Sequence, residues 1–141
     1  MSRSASGNTA LARQVWSRMF DFLMRTAPER TRSLGRRGLT PNDARALTAL
    51  DRARGRTMRS LADEWECDAS NATWIVDRLE RLGLAQRRPV PHVRRARHVV
   101  LTAKGERIRA EVLEEFHTPP AELLGLRRKD LDALARALEK L

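Results

Sequence analysis

A capped amphipathic helix that runs directly into a strand constrains the fold more than any other stretch of this chain. Asp68 is a strong helix N-cap, and Gly83 fits the left-handed conformation that often follows a helix C-terminus. Residues 84–88 then form a strand, which Pro89 and Pro91 end because proline has no N–H for a sheet ladder. The apolar residues of the helix recur at helical spacing and predict one buried stripe: Ala72, Ile75, Val76, Leu79 and Leu82.

The segments on either side complete a known order of elements. Upstream, Thr40 caps a helix, and a second, short helix leads to a tight turn at residues 66–67. Downstream, residues 99–101 alternate as a return strand, and Thr102 caps a long helix that reaches Phe116. Helix, tight turn, helix and hairpin together predict a winged helix-turn-helix lobe.

Helices at both ends of the chain extend this lobe. A first helix follows Asn8 and ends near Pro28, and a last helix covers about 128–141. We therefore predict a mainly α fold with a small β-hairpin wing: four helices, the hairpin and two more helices. The expected parts are a disordered start (1–8), a first dimerisation helix with its link (9–38), the winged lobe (39–101) and C-terminal dimerisation helices (102–141).

The charge balance indicates a polyanionic partner. The 141 residues include 28 Lys and Arg against 18 Asp and Glu, which gives a net charge of +10 and a pI near 11.4. A domain this basic usually meets nucleic acid or an anionic membrane surface. High arginine usage alone is the other explanation of the charge.

Several classes of protein find no support in the sequence. No run approaches the ~20 apolar residues that span a bilayer, and residues 1–10 lack the apolar core of a secretory signal. The single cysteine, Cys67, cannot form an internal disulfide, which suits a reducing cytoplasm. Neither metal-ligand spacing nor a catalytic constellation is visible. We expect a cytoplasmic protein that is not an enzyme and uses no metal or cofactor.

The outward face of the helix at 69–82 has the layout of a helix that reads DNA. Short polar side chains in its first turn and a half suit base edges, and cations further along suit phosphates. By residue type, Asn71 is the best reader of adenine. An exposed Trp74 favours a DNA contact, although it could pack on a neighbouring loop, and a solvated helix face is the alternative for the others. The candidates on this helix are Ser70, Asn71, Thr73, Trp74 and Arg78.

The basic segment 87–102 is interpreted as the wing and not as a disordered tract. The alternating return strand and the Thr102 cap that follow it favour ordered structure. Such an arm can lie along the DNA backbone or push an arginine into the minor groove. Its candidate DNA contacts are Arg88, Arg94, Arg95 and Arg97.

The end helices carry more apolar surface than a small winged lobe covers. They could close on their own core, or they could form the interface of a homodimer, which we favour. Trp16 and Phe20 are plausible walls of a ligand pocket, although an ordinary core would use them equally. The dimerisation candidates are Leu11, Val15, Phe116, Leu131, Leu134 and Leu138.

A series of short motifs runs along about residues 39–110. The motifs are Leu39-Thr40-Pro41, Leu61-Ala62, Ser70-Asn71-Ala72-Thr73, the stretch from Asp77 to Leu84, Arg87-Arg88-Pro89, Arg94-Arg95-Ala96 and Leu101-Thr102-Ala103-Lys104-Gly105. Each motif is weak alone, and the combination is specific. In their order and spacing, these motifs resemble the MarR family of bacterial transcription regulators.

This resemblance implies a triangular homodimer whose two winged lobes grip a pseudo-palindromic operator on double-stranded DNA. It implies repression or, less often, activation, frequently relieved by a small aromatic effector. By position, residues 70, 71, 73 and 74 match the contacting start of the family's recognition helix, and Arg95 matches its wing-tip arginine. The operator and any effector are not readable from the sequence.

The chain departs from the family pattern in three places. Val93 stands where the family usually has an aspartate that braces the wing, and Trp74 where it often has arginine. Cys67 precedes the recognition helix, and we interpret it as a small buried residue rather than a redox switch. Non-specific or architectural binding of nucleic acid is the alternative to sequence-specific regulation.

Overall fold

The structure is a computed structural model that describes residues 2–141, with side chains from residue 7 onward. It confirms the mainly α fold with one antiparallel hairpin. One short helix, α6, was not expected. The elements are α1 (Ser2–Gly35), α2 (Pro41–Thr48), α3 (Met58–Glu64), α4 (Ala69–Arg81), β1 (Ala85–Val90), β2 (Val93–Leu101), α5 (Ala103–His117), α6 (Ala121–Leu124) and α7 (Arg128–Leu138).

The chain forms two compact units. The winged lobe covers Glu29–Glu115, and the second unit combines the chain up to Pro28 with residues from Phe116 to Leu141. These divisions fall inside α1 and α5, whereas the sequence suggested boundaries at 38 and 101. None of the helices over residues 2–141 is long and apolar enough to cross a bilayer.

Helix α1 is longer at both ends than the sequence indicated. Of the expected disordered start, 1–8, Met1 lies outside the described residues, and the chain is helical from Ser2. At the other end the helix passes through Pro28 and continues to Gly35, where a break was expected. Tertiary contacts override the local signal here, because Ser33 and Leu34 are buried in the winged lobe.

Local capping signals position the helices of the lobe as expected. Thr40 caps α2 and Asp68 caps α4, each accepting a hydrogen bond from the backbone N–H three residues later. Gly83 follows α4 with a φ of 74°, the left-handed conformation that glycine adopts without strain. The core beneath them is aliphatic, and its largest fully buried side chains are Leu34, Leu47, Leu50, Leu61, Leu79, Leu101, Val76 and Val99.

The hairpin is longer than predicted. Strand β1 includes Pro89, which was expected to end it, and β2 begins at Val93. Arg56 pairs with Val99 on the far side of β2, so β1 is the edge strand. An edge strand tolerates proline because the missing N–H would face outward. The ladder is irregular between Pro89 and Val90, just before the turn.

Candidate nucleic-acid interface

The outward face of α4 carries the predicted readers together. Ser70, Asn71, Thr73 and Trp74 are all exposed, and the apolar stripe on the other face is buried except for Leu82, which is half-buried at the C-cap. Trp74 is 54 % exposed, so more than half of this residue is open to solvent. The helix therefore presents a polar first turn followed by one large indole surface.

The two hydroxyl groups on this face already donate their protons within the protein. Ser70 Oγ donates to Asp68 Oδ1 over 2.8 Å, and Thr73 Oγ1 donates to the carbonyl of Ala69 over 2.9 Å. The backbone N–H of Asn71 also donates to Asp68 Oδ1. This bond, and after it the bond from Ser70, lowers the pKa of Asp68 below its usual value. While these bonds are kept, the two hydroxyls offer an outside partner only their acceptor lone pairs.

Arg78, a predicted DNA contact, is held inside the lobe. Its guanidinium donates to both carboxylate oxygens of Asp43, Nε to Oδ1 over 2.8 Å and Nη2 to Oδ2 over 2.9 Å. Burial alone would raise the pKa of Asp43, but hydrogen bonds from Arg78 and Thr40 hold it below its usual value. This bidentate pair joins α2 to α4 and positions the helix.

Arg87 connects the wing to α4, a role that the sequence reasoning missed. Its Nη2 lies 2.8 Å from Asp77 Oδ1 and its Nη1 2.7 Å from Glu80 Oε1. The signal was present, because Asp77 and Glu80 are three residues apart on one helix face and β1 returns beside it. Arginines of this segment are therefore not all available to a partner.

The other four arginines of the wing face outward. Among the residues that the structure describes, none of the four forms an ion pair. Arg94 and Arg95, which were expected at the tip, lie on β2. Pro91 and His92 form the turn, and His92 has a φ of 66°. Val93 is exposed beside it. The outward residues are Arg88, Arg94, Arg95 and Arg97.

The second unit exposes most of its predicted apolar residues. None of α7 is buried, and α1 leaves large apolar side chains in solvent between Leu11 and Met24. The pocket candidates Trp16 and Phe20 are exposed, one turn apart on α1. Of the dimerisation candidates, Phe116 and Leu131 are half-buried, and the exposed ones are Leu11, Val15, Leu134 and Leu138.

Cys67 is a free, half-buried cysteine at the turn before α4, where Glu66 has a φ of 52°. It is thus less buried than expected. Within residues 2–141, no group of three His, Cys, Asp or Glu side chains could hold a metal ion.

A sequence comparison finds a match within the winged lobe, and structural comparisons find matches over most of the chain. The sequence profile described as MarR family matches residues 37–96, which include α2, α3, α4, β1 and the first part of β2. No curated protein sequence matches significantly.

Three solved structures illustrate the likeness. YusO from Bacillus subtilis is 24 % identical with a TM-score of 0.76, and the match covers 92 % of this chain and 93 % of that one. A MarR family protein from Bacillus stearothermophilus is 26 % identical with a TM-score of 0.68, over 91 % and 93 %. A point mutant of MepR from S. aureus, bound to an oligodeoxyribonucleotide, is 18 % identical with a TM-score of 0.70, over 89 % and 94 %.

Proposed function

We propose that this chain is a cytoplasmic transcription regulator of the MarR family, whose sequence profile matches residues 37–96, and that it binds double-stranded DNA as a homodimer. One observation carries the proposal. A helix with an exposed polar first turn lies on the same lobe as a wing with four outward arginines, which form no ion pair within the described chain. The whole chain has a net charge of +10. A recognition helix reads base edges, and wing cations hold phosphates or the minor groove.

The wing supplies the attraction in this proposal. Among the described residues, Arg94 and Arg95 have no carboxylate to leave when they meet a phosphate, so each contact releases counterions at no internal cost. Arg78 and Arg87 have carboxylate partners and keep them. In support, the MepR mutant, which shares the fold, is bound to an oligodeoxyribonucleotide.

A second copy of this chain is the proposed cover for the exposed apolar side chains of α1 and α7. Leu134 and Leu138 lie one turn apart on α7, and both are exposed in the single chain. Exposed apolar surface of this extent on consecutive turns marks an interaction site. A two-fold dimer places two recognition helices about one DNA turn, ~34 Å, apart, so the operator would be pseudo-palindromic.

Repression is the proposed outcome, because a dimer seated on an operator excludes other proteins from the same DNA. A small aromatic effector could bind against Trp16 and Phe20, whose rings are exposed on α1. Its binding would be measured by quenching of tryptophan fluorescence, with Trp16→Leu as the variant that loses the signal.

Selection of bound duplexes from a random pool tests the proposal. We expect one pseudo-palindrome to emerge, to bind more tightly than random DNA by at least ~1,000-fold, and to weaken steeply with salt. Arg95→Ala should weaken binding to the operator and to random DNA, and it should reduce the slope of log K against log salt by about 2, because the dimer loses one phosphate contact in each half-site. The matched control is Arg107→Ala, an exposed arginine of α5 in the same lobe.

The same experiment separates the alternative. A specificity ratio near one, with the salt dependence retained, would identify a non-specific or architectural binder. An unchanged salt slope in Arg95→Ala would remove the wing from the interface.

A further inference from the structure

The recognition helix has no cation free to read guanine over its first two turns. Residues 69–77 contain no Lys or Arg, and Arg78 is bound to Asp43. The next arginine, Arg81, lies in the last turn of α4. Bidentate contacts from Arg or Lys to the O6 and N7 atoms are the commonest way to specify guanine. The first two turns of this helix must therefore select DNA sequence by other chemistry.

The first turn adds few hydrogen-bond donors. The Ser70 and Thr73 hydroxyls use their protons on Asp68 and on the Ala69 carbonyl. Among the residues of this face, only the Asn71 amide then keeps both a donor and an acceptor for a base edge, and it matches adenine N6 and N7.

Trp74 is the largest surface that α4 presents. It lies three residues after Asn71 and four after Ser70, so all three side chains share one face. More than half of the residue is exposed, on a helix whose opposite face is buried in the core. Water covers this indole in the free chain, and an apolar partner would release that water. The apolar group that the base edges present in the major groove is the 5-methyl group of thymine.

We propose that Trp74 reads a thymine 5-methyl group in each operator half-site, beside an adenine read by Asn71, with no guanine read directly by the first two turns of α4. This inference rests on the proposed function, because it assigns the specificity of the same DNA-binding lobe. Trp74 would be a specificity-determining residue, and the wing arginines would supply the sequence-independent attraction.

The test uses the full chain and the operator selected from random DNA. Each thymine of a half-site is replaced in turn by deoxyuridine, which removes only the methyl group. One buried methyl corresponds to about fourfold in the dissociation constant, the equivalent of ~0.8 kcal/mol. Replacement in both half-sites should give about fifteenfold for wild type, because the two contributions multiply.

Trp74→Ala is the decisive variant. We expect it to bind the thymine and deoxyuridine operators equally, while Asn71→Ala keeps the difference. Low salt keeps the weakened variant measurable, because arginine–phosphate contacts strengthen there. Trp74 is exposed, so the unfolding temperature should not change, and Trp74→Phe should retain part of the methyl effect.

Two results would overturn the inference. One is a wild-type protein that is insensitive to deoxyuridine at every thymine. The other is a deoxyuridine effect that persists undiminished in Trp74→Ala. Neither result would affect the proposed function, which fails only if no operator is preferred over random DNA. When the selection is repeated with Trp74→Arg, the variant should favour guanine where wild type favours thymine. An unchanged preference for thymine would also count against the inference about Trp74.

Discussion

Arg78 and Asp43 form a bidentate ion pair that joins α2 to the recognition helix. The Asp43 side chain is only 3 % exposed, and it also accepts a hydrogen bond from the Thr40 backbone N–H as part of a capping box. One carboxylate thus begins α2 and fixes the arginine of α4. Removal of either member of such an ion pair is costly, because the other charge is left uncompensated.

Asp43→Ala should therefore lower the free energy of unfolding by about 3 kcal/mol, because it leaves the Arg78 guanidinium unpaired and removes part of the cap. Urea unfolding measures the loss. Asp43→Asn, which keeps a hydrogen-bond acceptor, should cost less. If the alanine variant lost less than ~1 kcal/mol of unfolding free energy, the pair would contribute no more than an exposed surface ion pair does.

Arg87→Met should loosen the wing without removing a phosphate contact, because Arg87 is held by Asp77 and Glu80. Operator affinity should fall, while the slope of affinity against salt stays that of the wild type. The matched control is Arg88→Met, one residue along the same strand. Its guanidinium should contribute to the slope, which should decrease by about 2 because the dimer carries two copies of the residue. Equal slopes for both variants would contradict this division of roles.

Acid should weaken the lobe through Glu115. Hydrogen bonds from Arg37 and then Ser33 lower the pKa of Glu115 from 4.5 to about 2, and Arg37 Nη2 lies 2.6 Å from Oε1. A depressed carboxyl pKa stabilises the fold fully above pH 4.5 and loses that contribution as the pH falls towards 2. Glu115→Gln should thus lower the unfolding temperature at pH 7, and the difference from wild type should shrink between pH 4.5 and 2. A difference in unfolding temperature between wild type and Glu115→Gln that stays the same at every pH would contradict this prediction.

Gly105 at the start of α5 should not tolerate a side chain. A Cβ there would lie 1.9 Å from the carbonyl oxygen of Leu84, a backbone atom. Gly105→Ala should cost about 1–3 kcal/mol in urea unfolding, through forced displacement of α5 from the chain before β1. Gly35→Ala, where a Cβ meets nothing within 4 Å, should be neutral or slightly stabilising.

Leu134→Glu should separate the proposed dimer. The leucine is exposed on α7, so the change should leave the fold of the single chain intact while placing a charge in the interface. Sedimentation would show a monomer, and operator affinity should fall because the two lobes no longer bind together. Ala110→Glu, on an exposed position of α5 in the winged lobe, is the matched control and should remain dimeric. A dimeric Leu134→Glu would place the interface elsewhere.

Features with a local cause were predictable from the sequence. Thr40, Asp68 and Thr102 were expected to cap helices, and each accepts a backbone N–H three residues later. Gly83 was expected in the left-handed conformation and has it. These outcomes depend on one turn of chain, where side-chain type and backbone preference decide the result.

Features that depend on distant partners were not predictable in this way. Helix α1 continues beyond Pro28 because residues 33 and 34 are buried and Arg37 pairs with Glu115, which is far away in sequence. Residue type alone cannot distinguish an arginine with a carboxylate partner from one free for DNA. For that reason Arg78 was grouped with the outward arginines, and the role of Arg87 was missed.

The pairing of Arg78 also bears on how such a lobe could evolve. If the choice of sequence lies with Asn71 and Trp74 while the attraction lies with the wing, a duplicated copy can acquire a new target by changes in one turn of α4. Its hold on DNA would be preserved during that drift, because in the described chain the outward wing arginines share no ion pair with the changing residues. On these proposals, selection could alter the target of the lobe without first removing its ability to bind.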